Sequence, residues 1–135
     1  MRVFPDTNVL FAALATRGLC ADLLRALLAE HEVLVGEQVL VELRRNLARK
    51  LRMTAAGVDA AVAFLEDLER VPARRLSPRR PPGIDAADAV ILDCAVRATA
   101  EVLLTGDRAL LALGTHKGCP VLAPRELWER LRKRP

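Results

Sequence analysis

The 135-residue sequence contains no apolar run near the roughly 18 residues that a membrane-crossing helix needs, so a membrane protein is not expected. Its three cysteines, Cys20, Cys94 and Cys119, are odd in number and form no C-x-x-C pair. A disulfide framework and a thiolate zinc site are therefore not indicated, and the three read as small buried hydrophobes. Only two histidines occur, His31 and His116, each isolated, which speaks against histidine ligation and histidine acid–base chemistry. Neither a G-x-x-x-x-G-K phosphate loop nor a D-x-D nucleophile motif is present, which disfavours a phosphotransferase or phosphatase. The opening Met1-Arg2-Val3-Phe4-Pro5-Asp6 lacks the basic region, apolar block and small-residue site of a signal peptide, and a cytoplasmic location is the resulting expectation.

What is present is globular in composition: 52% hydrophobic against 28% charged residues, at a length suited to one domain spanning residues 1–135. The net charge of +4 is unevenly spread. Arg44, Arg45, Arg49, Lys50 and Arg52 fall in one acid-free window, and Arg74, Arg75, Arg79 and Arg80 form a second cluster. The tail closes on Arg130, Arg132, Lys133 and Arg134. Such clusters suit a polyanionic partner as well as ordinary solvated helix faces.

Residues 2–5 are a strand candidate, with Pro5 expected at its end because proline cannot donate to a ladder. Helical periodicity follows over 8–15 and 21–30, a short apolar strand over 33–35, and a helix over 37–51 whose later turns are basic. Thr54 is a candidate cap for a helix through residue 68. The proline-rich 71–83 is expected as loop with at most a brief strand. Asp85 then caps an apolar helix to about residue 99, 101–104 is a strand, 109–113 a short helix, 121–122 a last strand, and Pro124 begins a final helix. Alternating strands and helices predict an α/β domain with a mainly parallel sheet covered on both faces, in which ligands collect beyond the carboxyl ends of the strands.

Asp6 and Asp107 each follow such a strand, Asp88 lies in the first turn of the helix entering the second of them, and Glu42 interrupts the apolar face of its own helix. Each acid has an alternative role when taken singly. Asp6, Asp107 and Asp85 or Asp88 could serve helix N-termini, and Glu42 could face solvent. Taken together they predict a converging cluster. Two carboxylates about 4 Å apart repel by roughly 4 kcal/mol at an effective dielectric near 20, so such a cluster calls for a cation. All-oxygen ligands point to Mg²⁺ or Mn²⁺, ions that activate water against phosphodiesters. Thr7 or Asn8 is expected to satisfy the free amides of the turn after Asp6.

The stretches VFPDTNVL, VLVELRRNL, DAADAVILDCA and LLTGDRALL, in that order, resemble the four acidic motifs of PIN-domain ribonucleases over nearly the whole chain. The resemblance is closest to the PIN-family toxins of bacterial and archaeal toxin–antitoxin systems. It implies an α/β/α sandwich with a central, mainly parallel sheet and Mg²⁺- or Mn²⁺-dependent cleavage of single-stranded RNA. It also implies a small antitoxin partner and a homodimer. By position it makes Asp6, Glu42, Asp88 and Asp107 the metal-binding and catalytic acids, with Asn8 and Thr105 as supporting polar residues. Relatives usually show adjacent acids before this helix where the present chain has Asp85-Ala86-Ala87-Asp88; Asp88 fits best and Asp85 is the alternate third acid. Arg44, Arg45 and Arg49, on the helix of Glu42, are candidate contacts to RNA phosphates. A PIN fold that binds RNA or a protein without cutting is the rival expectation.

Overall fold

The computed structural model describes residues 1–133; Arg134, the last cation of the tail cluster, lies outside the described residues with Pro135. Strand β1 (Arg2–Pro5) does end at its proline, as expected of a residue without an amide hydrogen. The chain continues through α1 (Thr7–Ala15), α2 (Leu19–Glu30), β2 (Glu32–Gly36), α3 (Glu37–Lys50), α4 (Ala55–Val62) and a 3-10 segment (Ala63–Asp67). It then forms β3 (Glu69–Val71), α5 (Ala86–Arg97), β4 (Val102–Leu104), α6 (Arg108–Leu111), β5 (Thr115–His116), β6 (Cys119–Leu122) and α7 (Pro124–Arg132).

The strands form one six-stranded sheet in the order β3-β2-β1-β4-β6-β5, parallel except for the β5–β6 hairpin. Because successive side chains alternate across a strand, each apolar strand feeds two cores. Phe4, Leu34 and Leu103 point into one with Leu43 of α3, Val58 of α4 and Ile91 of α5. Val3, Val33, Val102 and Leu104 point into the other with Leu23 and Leu27 of α2 and Leu127 of α7. The result is the anticipated α/β sandwich with a central, mainly parallel sheet.

Connectivity decides where a site can form. From β1 the chain moves to β2 and β3 on one side of the sheet, and from β4 it moves to β6 and β5 on the other. β1 and β4 are neighbours, so the winding reverses between them and their carboxyl ends flank a crevice. At the opposite rim Arg2 ties the strands together, reaching Glu32 at 2.8 Å, Glu69 at 2.6 Å and the carbonyl of Ala98 at 2.7 Å.

Three local expectations differ from the structure. The helix from Thr54 ends at Val62 and tightens into the 3-10 segment instead of running to Leu68. A strand forms at Glu69–Val71, just ahead of the proline-rich loop, pairing in parallel with β2. β5 was not anticipated; Lys117 and Gly118, with φ of 47° and 82°, make a two-residue hairpin turn that folds it back on β6. Both outer strands are short, three residues in β3 with Glu69 and Arg70 exposed, and two in β5.

Candidate functional site

Parallel pairing brings two acids to one rim. β1 and β4 are in register at Pro5↔Leu104, and the Asp6 amide extends the ladder by donating to the Leu104 carbonyl at 2.8 Å. Asp6 is therefore fixed where the sheet ends, with only 4% of its surface exposed. Its Oδ1 accepts from the Thr7 amide at 2.7 Å, at the head of α1, and its Oδ2 accepts from the Thr105 hydroxyl at 2.7 Å and from Asn8 Nδ2 at 3.4 Å. The same fully buried Thr105 oxygen accepts from the Asp107 amide at 3.0 Å, so one hydroxyl links both strand-end acids. Asp107 caps α6, its Oδ1 accepting from the Leu110 amide at 3.0 Å.

Helices supply the other acids. Glu42 stands half-buried on α3, where Oε2 accepts from the Thr7 hydroxyl at 2.8 Å and Oε1 from Gln38 Nε2 at 3.1 Å. Asp85 caps α5 by accepting from the Asp88 amide at 2.8 Å and is exposed; Asp88 itself is partly buried in the first turn. Capping and clustering thus coexist, since Asp6, Asp85 and Asp107 all sit at helix N-termini.

The acids share one electrostatic field. Burial pushes the Asp88 carboxyl up to about 6, and the charges of Asp85, Asp107, Asp6 and Glu42 push in the same direction. Burial also raises the Asp6 carboxyl, opposed by the bonds from Thr105 and Thr7 and reinforced by the charges of Glu42 and Asp107. Carboxylates from separate segments thus act electrostatically on Asp6 and Asp88 near the carboxyl ends of β1 and β4.

An all-oxygen donor set of this kind suits a hard divalent cation by its chemistry. Among the described residues, however, no three His, Cys, Asp or Glu side chains are arranged to hold a metal ion. Like-charge repulsion favours such separation. Asp6 is locked by its donors, whereas Asp88 and Glu42 project from partly buried helical positions, Glu42 held by Thr7 and Gln38.

Two polar residues do something other than expected. Thr7 spends its hydroxyl on Glu42, and Asn8 uses Oδ1 to accept from the Gly106 amide at 3.1 Å, so neither side chain satisfies the amides of α1. Asn8 instead fastens the loop after β4 to the start of α1. Gln38, which sequence reading overlooked, orients Glu42 from one turn away; the i, i+4 spacing was the available signal. On α3, Arg45 and Arg49 are exposed, while Arg44 is half-buried and paired with Asp59 at 2.7 Å.

Known proteins share this fold. A comparison with curated protein sequences gives no match. Among solved structures, a chain of VapBC2 from Rickettsia felis, bound to a DNA fragment from their promoter, has a similar fold. The TM-score is 0.65 and the identity 15%, covering 91% of this chain and 98% of that one. VapC20 from Mycobacterium tuberculosis, a sarcin-ricin-loop-cleaving toxin, superimposes with a TM-score of 0.59 at 18% identity, covering 87% of this chain and 99% of that one. A family model described as PIN domain matches residues 2–109, from the start of β1 through the acid after β4, and the chain belongs to the PIN domain family.

Proposed function

We propose that the protein is a Mg²⁺- or Mn²⁺-dependent endoribonuclease that cleaves single-stranded RNA as the toxin of a toxin–antitoxin pair. The observation that carries this reading is the placement of Asp6, Glu42, Asp88 and Asp107 near the carboxyl ends of β1 and β4, where burial and the neighbouring carboxylates raise Asp6 and Asp88. The fold it shares with the sarcin-ricin-loop-cleaving toxin VapC20 supports the same class of chemistry. Asp6, Glu42, Asp88 and Asp107 would hold the ion, with Asp85 as the alternate third acid. When bound, the cation would supply Lewis-acid activation of water and offset charge developing on the scissile phosphate. Thr105 and Asn8 orient Asp6, Gln38 and Thr7 orient Glu42, and Arg45 and Arg49, with Arg44, grip flanking phosphates. Ligand carboxylates must be ionised, so protons compete with the cation, and cleavage should fall as the pH drops through the acid range, with Asp88, raised in the metal-free site, protonating early.

A small antitoxin and a second copy of the chain complete the proposed assembly, in the cytoplasm. No helix among the described residues is long and apolar enough to cross a membrane. The test is incubation of purified protein with labelled single-stranded RNA in Mg²⁺, Mn²⁺ and EDTA, with fragments expected only with metal. A second reading, a PIN fold that binds RNA or a protein without cutting, is favoured by the separation of the carboxylates. Such a binder would hold its partner equally well in EDTA and yield no fragments.

A further inference from the structure

The proline-rich loop, residues 72–83, lies along α5 and meets the β5–β6 hairpin around a cleft of about 460 Å³. Five cations line it, Arg74, Arg79, Arg80, Arg97 and Lys117, against a single carboxylate, Asp93. That carboxylate is already neutralised. Arg74 engages it through Nε at 2.9 Å and a terminal nitrogen at 2.6 Å, and Arg97 Nε reaches it at 2.7 Å. Burial works to raise the Asp93 carboxyl, but the bonds from Arg74 and Arg97 outweigh it and hold it below its ordinary value. Arg97 also donates to the Pro72 carbonyl at 2.6 Å, pinning the start of the loop to α5. Beyond that anchor Arg79 and Arg80 are exposed, and among the described residues neither they nor Lys117 form an ion pair.

The cleft shares α5 with Asp88, although none of the four acids lines it. Its α5 wall is Ala89, Asp93 and Val96, one helical face, which starts one residue past Asp88 and runs about 10 Å along the axis. We propose that this cleft is a phosphate-gripping exosite that holds single-stranded RNA on one flank of the acidic crevice; the inference rests on RNA as the substrate there. A mouth lined with carboxylates repels a polyanion, so a strand entering it needs cations close by to offset that repulsion. Guanidinium forks match phosphate oxygens. The sequence has no tyrosine, and among the described residues the one aromatic ring lining the cleft is the imidazole of His116 against five cations, so the strand is held mainly by its backbone.

Binding of labelled oligo-A and oligo-U is followed by fluorescence anisotropy in EDTA, where no cleavage is required. The triple variant R79E/R80E/K117E should lose tenfold or more in affinity at about 100 mM salt, with the salt slope shallower by roughly 2 as three phosphate contacts are removed. The loss should be equal for both oligonucleotides. R79Q/R80Q, expected to lose a smaller part, keeps the test readable if charge reversal impairs folding. Unchanged affinity and slope in both variants would overturn the exosite, as would a loss confined to one base. Poly-glutamate binding that disappears in the triple variant, with RNA binding intact, would make the cleft a protein-docking site and also sink the proposal. Cleft-dependent RNA binding without fragments in Mn²⁺ would leave the exosite standing and remove the nuclease; absence of RNA binding by the wild type would overturn both.

Discussion

Replacing Asp88 with asparagine keeps the shape of the side chain and deletes its charge, which separates a carboxylate held among its own kind from one that merely favours a helix N-terminus. In the folded protein this carboxyl is raised from 3.8 to about 6. A shift of that size corresponds to about 3 kcal/mol at 1.36 kcal/mol per unit, and because Asp88 is only partly buried, solvent screening reduces it to the order of 1 kcal/mol. The sign follows from the direction of the shift. Between pH 3.8 and about 6 the folded state binds more protons than the unfolded state, so wild-type stability falls as pH rises through that window. Above it the full penalty of ionisation is present, and below it none is. Asp88→Asn should therefore be about 1 kcal/mol more stable than wild type near pH 8 in EDTA, a rise of roughly 3–5 °C in Tm, and the gain should vanish near pH 3.5. Urea titrations at both pH values measure this, and cleavage of single-stranded RNA in Mn²⁺ should fall at least a hundredfold in the same variant. Loss of a few tenths to about 1 kcal/mol at pH 8, with cleavage retained, would refute the cluster and leave Asp88 a partner of the helix dipole. Asp85→Asn is the control. Its loss of cleavage with Asp88→Asn intact would move the third acid to Asp85.

Millimolar Mn²⁺ should raise the melting temperature of the wild type, by about 2.7 kcal/mol of stability at a hundredfold excess over Kd, and an equal rise in Asp6→Asn would show that the ion binds elsewhere. Thr105→Val strips Asp6 Oδ2 and the Asp107 amide of a shared partner and should cost about 1–3 kcal/mol in urea unfolding; a neutral result would mean water replaces the hydroxyl. Gly36→Ala would place a Cβ 2.5 Å from Cζ of the fully buried Phe4, so a loss of roughly 1–3 kcal/mol is expected, and wild-type stability would show that the ring yields freely. Asp93 is held below its ordinary value, so its stabilising effect is present near neutral pH and fades as pH falls through the acid range. Asp93→Asn should accordingly be less stable than wild type at pH 7, with the gap narrowing as pH falls below the ordinary carboxylate range, and a gap that does not change with pH would deny the ion pairs their role.

The shared rim of Asp6 and Asp107 was readable because strand-end acids interrupt strongly apolar stretches. Val3-Phe4-Pro5 and Val102-Leu103-Leu104 are apolar on both faces, which marks central parallel strands, and the residues that follow them must emerge at the sheet's rim. That β1 and β4 are neighbours is a product of the winding, and it makes Asp6 and Asp107 meet. The errors have other causes. No proline or glycine marks the change after Val62, where packing of Phe64 and Leu65 against the core accompanies a tighter turn. β3 hides behind Glu69 and Arg70 because an edge strand keeps charged residues, and β5 is too short for any periodicity. Thr7 and Asn8 looked like local caps because their partners, Glu42 and Gly106, are distant in sequence.

The two outer strands limit how the molecule can join others. An exposed strand invites a further strand from a neighbour, whether another copy or an extended peptide, through its unpaired amides and carbonyls. β3 offers three residues, with Glu69 already held by Arg2, and β5 offers two beside the tight turn at Lys117-Gly118. Neither length supports strand addition. A partner of this chain would therefore have to dock on helix or loop surfaces, and a peptide designed to bind this fold should be a helix or a groove-binding segment rather than a seventh strand.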